Sequence, residues 1–195
     1  LYGGTFDPIH FGHLAVARAA LALTGATRLD FVPAADPPHR AAPGASFADR
    51  VAMLEAALAT EPSPAAGKWG IDPREGRRAG PSFTVDTLRE WREEHGHAAP
   101  LGFVLGADAF IGLPGWRDWA ELFALAHLVV ARRPGHAFVG SDGGSPDSRW
   151  SAALAAATAR RWRSDPASLR AAPAGRILRL DLPLQPESAS AVRRD

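Results

Sequence analysis

A continuous apolar run at residues 101–105, Leu-Gly-Phe-Val-Leu, constrains the fold of this chain more than any other feature. A strand that is apolar on both faces is typical of a parallel sheet that helices cover on each side. Other short apolar runs, at 29–32, 128–131 and 176–182, alternate along the chain with segments of helical periodicity. We therefore predict the α/β class, with a doubly wound parallel sheet and helices on both faces.

Helices are predicted where apolar residues recur at helical spacing and a capping residue precedes them. They cover about residues 11–23, 47–59, 84–95, 116–126 and 146–163. Ser46 and Thr84 are good N-caps for the second and third helices, and Gly25 suits the C-cap of the first. Pro146 favours the start of the last helix, because Pro fits the first helical position.

Length and composition limit the class of protein further. The chain has 195 residues, so we expect a single domain over 1–195, on a prior of roughly 150 residues per domain. Within it we expect a helical insertion at 146–175, and a few residues of the natural chain missing at each end. A net charge of +1 argues against a general nucleic-acid coat, and the lack of cysteine excludes disulfides and thiolate metal ligands. No apolar run approaches the roughly 18 residues that span a bilayer. We therefore expect a cytoplasmic protein that binds neither nucleic acid nor membrane.

The turn after the first strand, GGTFDPIHFGH at residues 3–13, carries the strongest chemical signal. Gly3 and Gly4 allow the backbone to approach a ligand closely, since neither has a Cβ atom. His10 and His13 lie three residues apart at a helix N-terminus, where backbone N–H groups already favour anions. We interpret the segment as a phosphate-binding loop. Two alternatives stay open here: a glycine turn with two ordinary surface histidines, and an H-x-x-H metal site that lacks an evident third ligand.

Ligands of parallel sheets bind at the carboxyl ends of the strands, which makes the residues just after each strand informative. Asp108 follows the run at 101–105, where a carboxylate usually faces a ligand. Arg40 lies beside His39 in a Pro-rich loop, and the pair either contacts phosphate or is a solvated loop pair. Trp116 also has two interpretations, a platform for a cationic aromatic ring or a core aromatic residue.

Six segments in a fixed order carry a resemblance to a known family. The tetrapeptide His10-Phe11-Gly12-His13 is similar to the (H/T)-x-G-H marker of the nucleotidyltransferase superfamily. Five further segments are PPHR at 37–40, SFTVDTL at 82–88, GADAFIGLPGW at 106–116, VVARRPG at 129–135 and SASAVR at 188–193. The six occur in the order found in bacterial nicotinate-nucleotide adenylyltransferase, so the chain resembles that family over nearly its whole length.

This resemblance implies a Rossmann-like fold and an enzyme of NAD biosynthesis. The implied reaction transfers the adenylyl group of ATP to nicotinate mononucleotide and yields deamido-NAD and pyrophosphate. ATP carries the Mg²⁺ ion, and no metal site of the protein itself is expected. The residues agree, because the chain offers histidines, arginines and backbone amides for a reaction that depends on charge neutralisation and in-line positioning.

The resemblance also implies roles for individual residues. The predicted catalytic residues are His10, His13 and Arg193, with His13 the better candidate for stabilising the transition state. The predicted ATP-binding residues are Gly3, Gly4, Thr5, Phe6, His10, His13, Gly106, Asp108, Arg133, Ser188, Ser190 and Arg193. The predicted binding residues for the mononucleotide are His39, Arg40, Phe83, Thr84 and Trp116. Four positions depart from the family pattern: Arg40 stands where Lys is frequent, Phe83 where Tyr is usual, Glu187 where an apolar residue is common and Ser190 where Thr is usual.

Three alternatives remain for the function. A phosphopantetheine adenylyltransferase or a cytidylyltransferase of the same superfamily would share several of the motifs. A non-catalytic nucleotide-binding sensor would keep the same binding residues without turnover. The expected partners are ATP and nicotinate mononucleotide, and whether the chain forms a homodimer is left open.

Overall fold

The computed structural model describes residues 1–36, 42–62, 64, 67–132 and 149–182. The described residues fall into two compact units, residues 1–83 and 84–182. The single domain predicted over 1–195 stays a prediction. None of the helices within these described ranges is long and apolar enough to cross a membrane.

The first unit is a three-stranded parallel sheet with two helices. Its elements are β1 (Tyr2–Gly4), α1 (Phe11–Thr24), β2 (Arg28–Pro33), α2 (Phe47–Thr60) and β3 (Lys68–Ile71). Strand β2 pairs with β1 on one side, Tyr2 opposite Phe31, and with β3 on the other, Phe31 opposite Ile71. Every strand is followed by a connection to the next parallel strand, as the alternating pattern predicts.

The two helices of this unit begin and end where local chemistry directs. The Ser46 side chain accepts a hydrogen bond from the Asp49 backbone N–H at 3.1 Å and caps α2. Helix α1 ends at Thr24 and is capped by Gly25, whose φ of 61° lies in the left-handed region that glycine adopts without strain. Both predicted caps are confirmed, and the buried face of α1 contains Leu14, Ala17, Ala20 and Leu21.

The second unit contains four parallel strands. Its elements are α3 (Thr84–His95), β4 (Gly102–Gly106), α4 (Ala107–Ile111), α5 (Leu122–Leu125), β5 (His127–Arg132), α6 (Ala152–Thr158), β6 (Trp162–Arg163) and β7 (Ile177–Asp181). Strand β5 lies between β4 and β7, and β6 pairs with the other edge of β7. All of β5 except Arg132 is buried, which confirms that the apolar runs form interior strands of a parallel sheet.

Two predicted helices differ from the structure. The helix expected at 116–126 is wrong: Asp118 has a φ of 47°, a 3₁₀ turn covers Trp119–Glu121, and only Leu122–Leu125 is α-helical. The left-handed backbone at Asp118 interrupts any helix there. The helix expected to reach Arg163 ends at Thr158, because residues 162–163 pair with β7 and the Arg161 carbonyl accepts from Ile177 N–H at 2.8 Å. Sheet pairing overrides helical periodicity in this segment.

Candidate active site

The loop that leaves β1 is closed over its own aromatic residue. Phe6 has a φ of 48° and its side chain is only 1% exposed. A Cβ atom at Gly4 would lie 2.8 Å from Cζ of the Phe6 ring, so the buried ring leaves no room for any other residue. Close packing of the Phe6 ring therefore requires glycine at position 4.

An aromatic cluster joins this loop to the sheet and to α1. The Phe6 ring packs edge-on against Tyr2 and Phe31, with ring centroids 5.4 and 5.5 Å apart. It also packs edge-on against the His13 ring, at 5.1 Å. The position of the His13 imidazole is thus set by the core of the unit rather than by solvent.

The two histidines of the loop lie side by side at the start of α1, with their rings tilted by 31°. His10 precedes the first residue of the helix and has extended backbone angles. The two imidazole rings lie 3.8 Å apart between centroids. The His10 backbone N–H donates to Nδ1 of His13 at 3.3 Å. Because Nδ1 accepts this bond, the ring hydrogen of His13 lies on Nε2, and Nε2–H is presented as a donor.

The helix that carries this pair suits an anionic ligand. Helix α1 has 14 residues and no acidic side chain in its first turn. Its N-terminal N–H groups and dipole therefore stabilise negative charge without a competing carboxylate. Together with the Nε2–H of His13, they form an arrangement that can bind phosphate oxygens.

Arg50, a residue that the motifs did not single out, positions this loop. Its side chain is 1% exposed. It donates to the carbonyl of Thr5 at 2.7 Å, and to those of Ala35 and Ala45 at 3.3 Å each. Burial lowers the pKa of the Arg50 guanidinium, although the carboxylates of Asp7 and Glu75 oppose the shift. An arginine within the apolar helix segment 47–60 was the one sequence signal that could have indicated this role.

Asp7 makes a second connection to the same loop. Its carboxylate accepts the Gly44 backbone N–H at 2.8 Å and the Ala45 N–H at 3.2 Å. The peptide bond from Asp7 to Pro8 is cis. Arg50 and Asp7 thus attach the first strand's loop to residues 44–45, immediately before α2.

In the second unit, the predicted adenosine-binding residues follow β4. Gly106 ends the strand and is exposed, and a Cβ atom added to it would have no neighbour within 4 Å. Asp108 lies in the first turn of α4 and is also exposed. Both are therefore accessible to a ligand at the carboxyl end of β4, where the parallel-sheet rule places one.

The predicted residues of the mononucleotide side are partly accessible. Phe83, Thr84 and Trp116 are all half-buried. Helix α3 begins at Thr84 itself. If Thr84 were the N-cap, as the sequence predicts, the helix would begin one residue later. Trp116 ends a 3₁₀ turn, and its backbone N–H donates to the Leu113 carbonyl at 2.8 Å. Trp116 is therefore outside any helix, and part of its side chain faces solvent.

The other predicted site residues lie outside the described residues. They are His39, Arg40, Arg133, Ser188, Ser190 and Arg193. Among the residues that the structure does describe, no group of three or more His, Asp or Glu side chains is placed to hold a metal ion.

The fold is parallel α/β, and its first strand leads through a glycine turn to two imidazoles at a helix N-terminus. This combination defines a nucleotide-binding protein of the nucleotidyltransferase class. A family model described as cytidylyltransferase-like matches residues 1–194. A probable nicotinate-nucleotide adenylyltransferase of Stenotrophomonas maltophilia (strain K279a) is 50% identical over 198 residues, 98% of this chain and 82% of that protein. Its namesake in Xylella fastidiosa (strain M12) is 46% identical over 196 residues, with the same coverage. The chain belongs to the cytidylyltransferase-like family and, within it, to the nicotinate-nucleotide adenylyltransferases.

Solved structures agree at the level of the fold. Plasmodium falciparum nicotinic acid mononucleotide adenylyltransferase complexed with NaAD superposes with a TM-score of 0.68 at 18% identity, over 99% of this chain and 80% of that one. The same protein complexed with APC gives a TM-score of 0.65. The Rossmann-like α/β class predicted from the sequence is confirmed, as is the family predicted from the six motifs.

Proposed function

We propose that this chain transfers the adenylyl group of ATP to nicotinate mononucleotide and releases pyrophosphate, as an enzyme of NAD biosynthesis. The observation that carries the proposal is the loop after β1, where the ring of His13 packs against Phe6 and lies beside His10 at the N-terminus of α1. The names of the relatives support the same reaction.

The reaction needs orientation and charge stabilisation more than covalent help. A phosphate oxygen of the mononucleotide attacks the α-phosphorus of ATP and forms a new P–O bond. The bond from that phosphorus to the oxygen bridging the α- and β-phosphates breaks, and the electron pair leaves with pyrophosphate. Negative charge builds on the α-phosphate oxygens, so fixed donors directed at them lower the barrier. The substrate is MgATP, and its Mg²⁺ neutralises part of the charge on the leaving pyrophosphate.

His13 is the donor best held for this task. Its Nδ1 accepts the His10 backbone N–H, and its ring packs against Phe6. Its Nε2–H therefore has a defined direction before substrate binds, which is the condition for electrostatic preorganisation. His10 contributes a second imidazole beside it, and the backbone of Gly3, Gly4 and Thr5 allows the triphosphate to come close.

Further proposed roles divide the remaining residues between the two substrates. Arg193 stabilises the phosphates during transfer, through the bidentate contacts that a guanidinium makes. On the ATP side we place Phe6, Gly106, Asp108, Arg133, Ser188 and Ser190. On the mononucleotide side we place His39, Arg40, Phe83, Thr84 and Trp116. Asp108 accepts from the ribose hydroxyls of adenosine, and the Trp116 face stacks on the pyridinium ring.

A pyrophosphate-release assay on the full chain tests the proposal. MgATP is offered with nicotinate mononucleotide, with nicotinamide mononucleotide or with phosphopantetheine, and CTP replaces ATP in a parallel series. We expect fast release with ATP and nicotinate mononucleotide, and deamido-NAD as the product by mass spectrometry. The nicotinamide compound is the matched control, because only the ring substituent differs.

Other outcomes of this assay would reject the proposal in distinct ways. Release with phosphopantetheine alone, or with CTP alone, would assign the chain to another reaction of the superfamily. No release with any pair, from protein that binds ATP, would indicate a nucleotide sensor.

A further inference from the structure

A cleft in the second unit lies among residues that have no role in the proposed reaction. It has a volume of about 600 Å³, within the usual range for small-molecule sites. The end of α6 and the segments that precede β6 and β7 form its walls. The lining residues are Ala156, Ala157, Ala159, Arg160, Arg161, Arg163, Ala174, Gly175 and Arg176.

The described charged residues that line this cleft are all arginines, and we call it the arginine cleft. Four of its nine lining residues are arginines, and the other five are alanine or glycine. None of the described residues that line the cleft is acidic. Within the described ranges, none of the four arginines forms an ion pair with a carboxylate. A concave surface with several like charges and no counter-charge concentrates a positive potential, and that potential attracts anions.

The structure holds most of these guanidinium groups in place. Arg161 donates to the carbonyls of Ala157 at 2.9 Å and Gly175 at 3.1 Å, and stacks over the Phe123 ring. Arg176 donates to the Ser168 carbonyl. Arg163 donates to the Trp162 carbonyl at 2.7 Å. Each of these guanidinium groups has five N–H donors, so fixed arginines retain donors for a ligand at little further cost in side-chain entropy.

The cleft lies at the opposite end of the strands from the proposed adenosine-binding residues. Residues 159–161 come just before β6, and residues 174–176 come just before β7. Gly106 and Asp108 instead follow the carboxyl end of β4, in the same parallel sheet. A ligand in the arginine cleft is therefore separated from Gly106 and Asp108, at the carboxyl end of β4, by the length of the strands.

We propose that the arginine cleft is a second anion-binding site, for a small molecule that carries two or more linked phosphate groups. Several forked guanidinium groups in one cleft match the oxygens of neighbouring phosphates. A cleft of about 600 Å³ accommodates such a molecule. Its lining within the described part of the chain includes no aromatic side chain on which a nucleic-acid base would stack.

Calorimetric titration of the full chain with inorganic pyrophosphate tests this proposal. The His13→Ala background is used, to weaken binding at the reaction site. In this background we expect pyrophosphate to bind at one class of sites, in the arginine cleft. The Arg160→Ala/Arg163→Ala double variant should bind it about tenfold or more weakly, since a charged hydrogen bond is lost at each position. Arg170→Ala is the matched control, because it removes one exposed arginine of the same segment outside the cleft, and we expect no change.

Several results would overturn the second site. One is equal pyrophosphate binding by the double variant and Arg170→Ala; another is loss of all binding in the His13→Ala background. Binding of a short RNA duplex but not of pyrophosphate would also reject it, in favour of a nucleic-acid surface. The single variant Arg160→Ala is a control for misfolding, because the Arg160 side chain is exposed and makes no hydrogen bond within the described residues. Its affinity for pyrophosphate should fall, but by less than that of the double variant. The outcome is independent of whether the chain makes deamido-NAD.

Discussion

Two buried arginines, one in each unit, invite comparison. Arg50 in the first unit and Arg92 in the second are 1% and 2% exposed. For both, burial lowers the pKa of the guanidinium. Among the described residues, both donate only to backbone carbonyls, with no carboxylate in hydrogen-bond contact. The two side chains thus share burial and hydrogen bonding to backbone carbonyls, although the carboxylates of Asp7 and Glu75 act on Arg50 alone.

They differ in which carbonyls they bind. Arg50 binds Thr5, within the loop that carries the paired histidines, together with Ala35 and Ala45. Arg92 binds Leu125 at 2.8 Å, Pro173 at 2.9 Å and the turn that follows α3. The same structural device therefore positions a site loop in one unit and stabilises the scaffold in the other.

The largest effect is expected on kcat, from removal of the His13 imidazole in the first unit. His13→Ala deletes the Nε2–H donor, and loss of one such donor typically lowers kcat by about 10²–10³-fold. Single-turnover measurement of deamido-NAD formation, with saturating MgATP and nicotinate mononucleotide, checks this. His97→Ala, an exposed histidine of the second unit, is the control and should keep the wild-type rate. A normal single-turnover rate for His13→Ala would remove His13 from the mechanism.

Arg92→Met should destabilise the protein without impairing the reaction. It leaves several buried carbonyls unpaired, at a total cost of about 3–5 kcal/mol in the free energy of unfolding. Urea unfolding at pH 7 measures this loss. The kcat and KM of the fraction that remains folded should match the wild type. A large rise in the KM for ATP would show that Arg92 also positions the site and would end the contrast with Arg50.

Arg50→Met should instead affect both properties. We expect a loss of about 2–3 kcal/mol in stability, for the carbonyls left unpaired, and a fall of about tenfold or more in kcat/KM for MgATP, because a displaced loop misaligns the phosphates. The test measures kcat/KM for MgATP and the folded fraction of Arg50→Met, and expresses kcat/KM per folded molecule. The same two quantities are measured for Arg92→Met. Arg50→Lys, which keeps the charge but cannot reach three carbonyls at once, should give an intermediate value. Unchanged kcat/KM in folded Arg50→Met would make Arg50 a scaffold residue too.

The smallest effect concerns His127 in the second unit. Its Nδ1 accepts the Arg176 backbone N–H at 3.1 Å, and its Nε2–H donates to the Ala172 carbonyl at 2.8 Å. Desolvation by burial lowers the pKa of His127 below its usual 6.5. Below pH 6.5 the unfolded chain therefore binds a proton that the folded chain does not. Stability should fall by at most about 1.4 kcal/mol per pH unit, from 6.5 down to the folded-state pKa.

Urea unfolding at a series of pH values between 7 and 5 measures this slope. His127→Gln should be less stable at pH 7 and should lack His127's part of the pH dependence. His97→Gln is the matched control, since His97 is exposed and should leave the slope unchanged. An identical slope in His127→Gln would show that other groups cause the acid sensitivity.

The phosphate-binding interpretation of the loop at 3–13 rests on local chemistry and stays a prediction. Two glycines, a turn and two histidines three residues apart are visible in the sequence, and the structure places the histidines at the N-terminus of α1. Arg50 was missed because its partner Thr5 lies 45 residues away in the sequence. The helix expected at 116–126 was wrong for a similar reason, since periodicity gave no sign of the left-handed backbone at Asp118.

Sequence alone thus determined the parallel α/β class, the caps of α1 and α2, and the family. These depend on hydrophobic periodicity and on short motifs, which act over a few residues. Only the tertiary structure decided which nitrogen of His13 carries the hydrogen, which arginines are buried, and that residues 162–163 form a strand. These depend on packing and hydrogen bonds between groups whose geometry exists only in the folded chain, where burial makes each unpaired polar group costly.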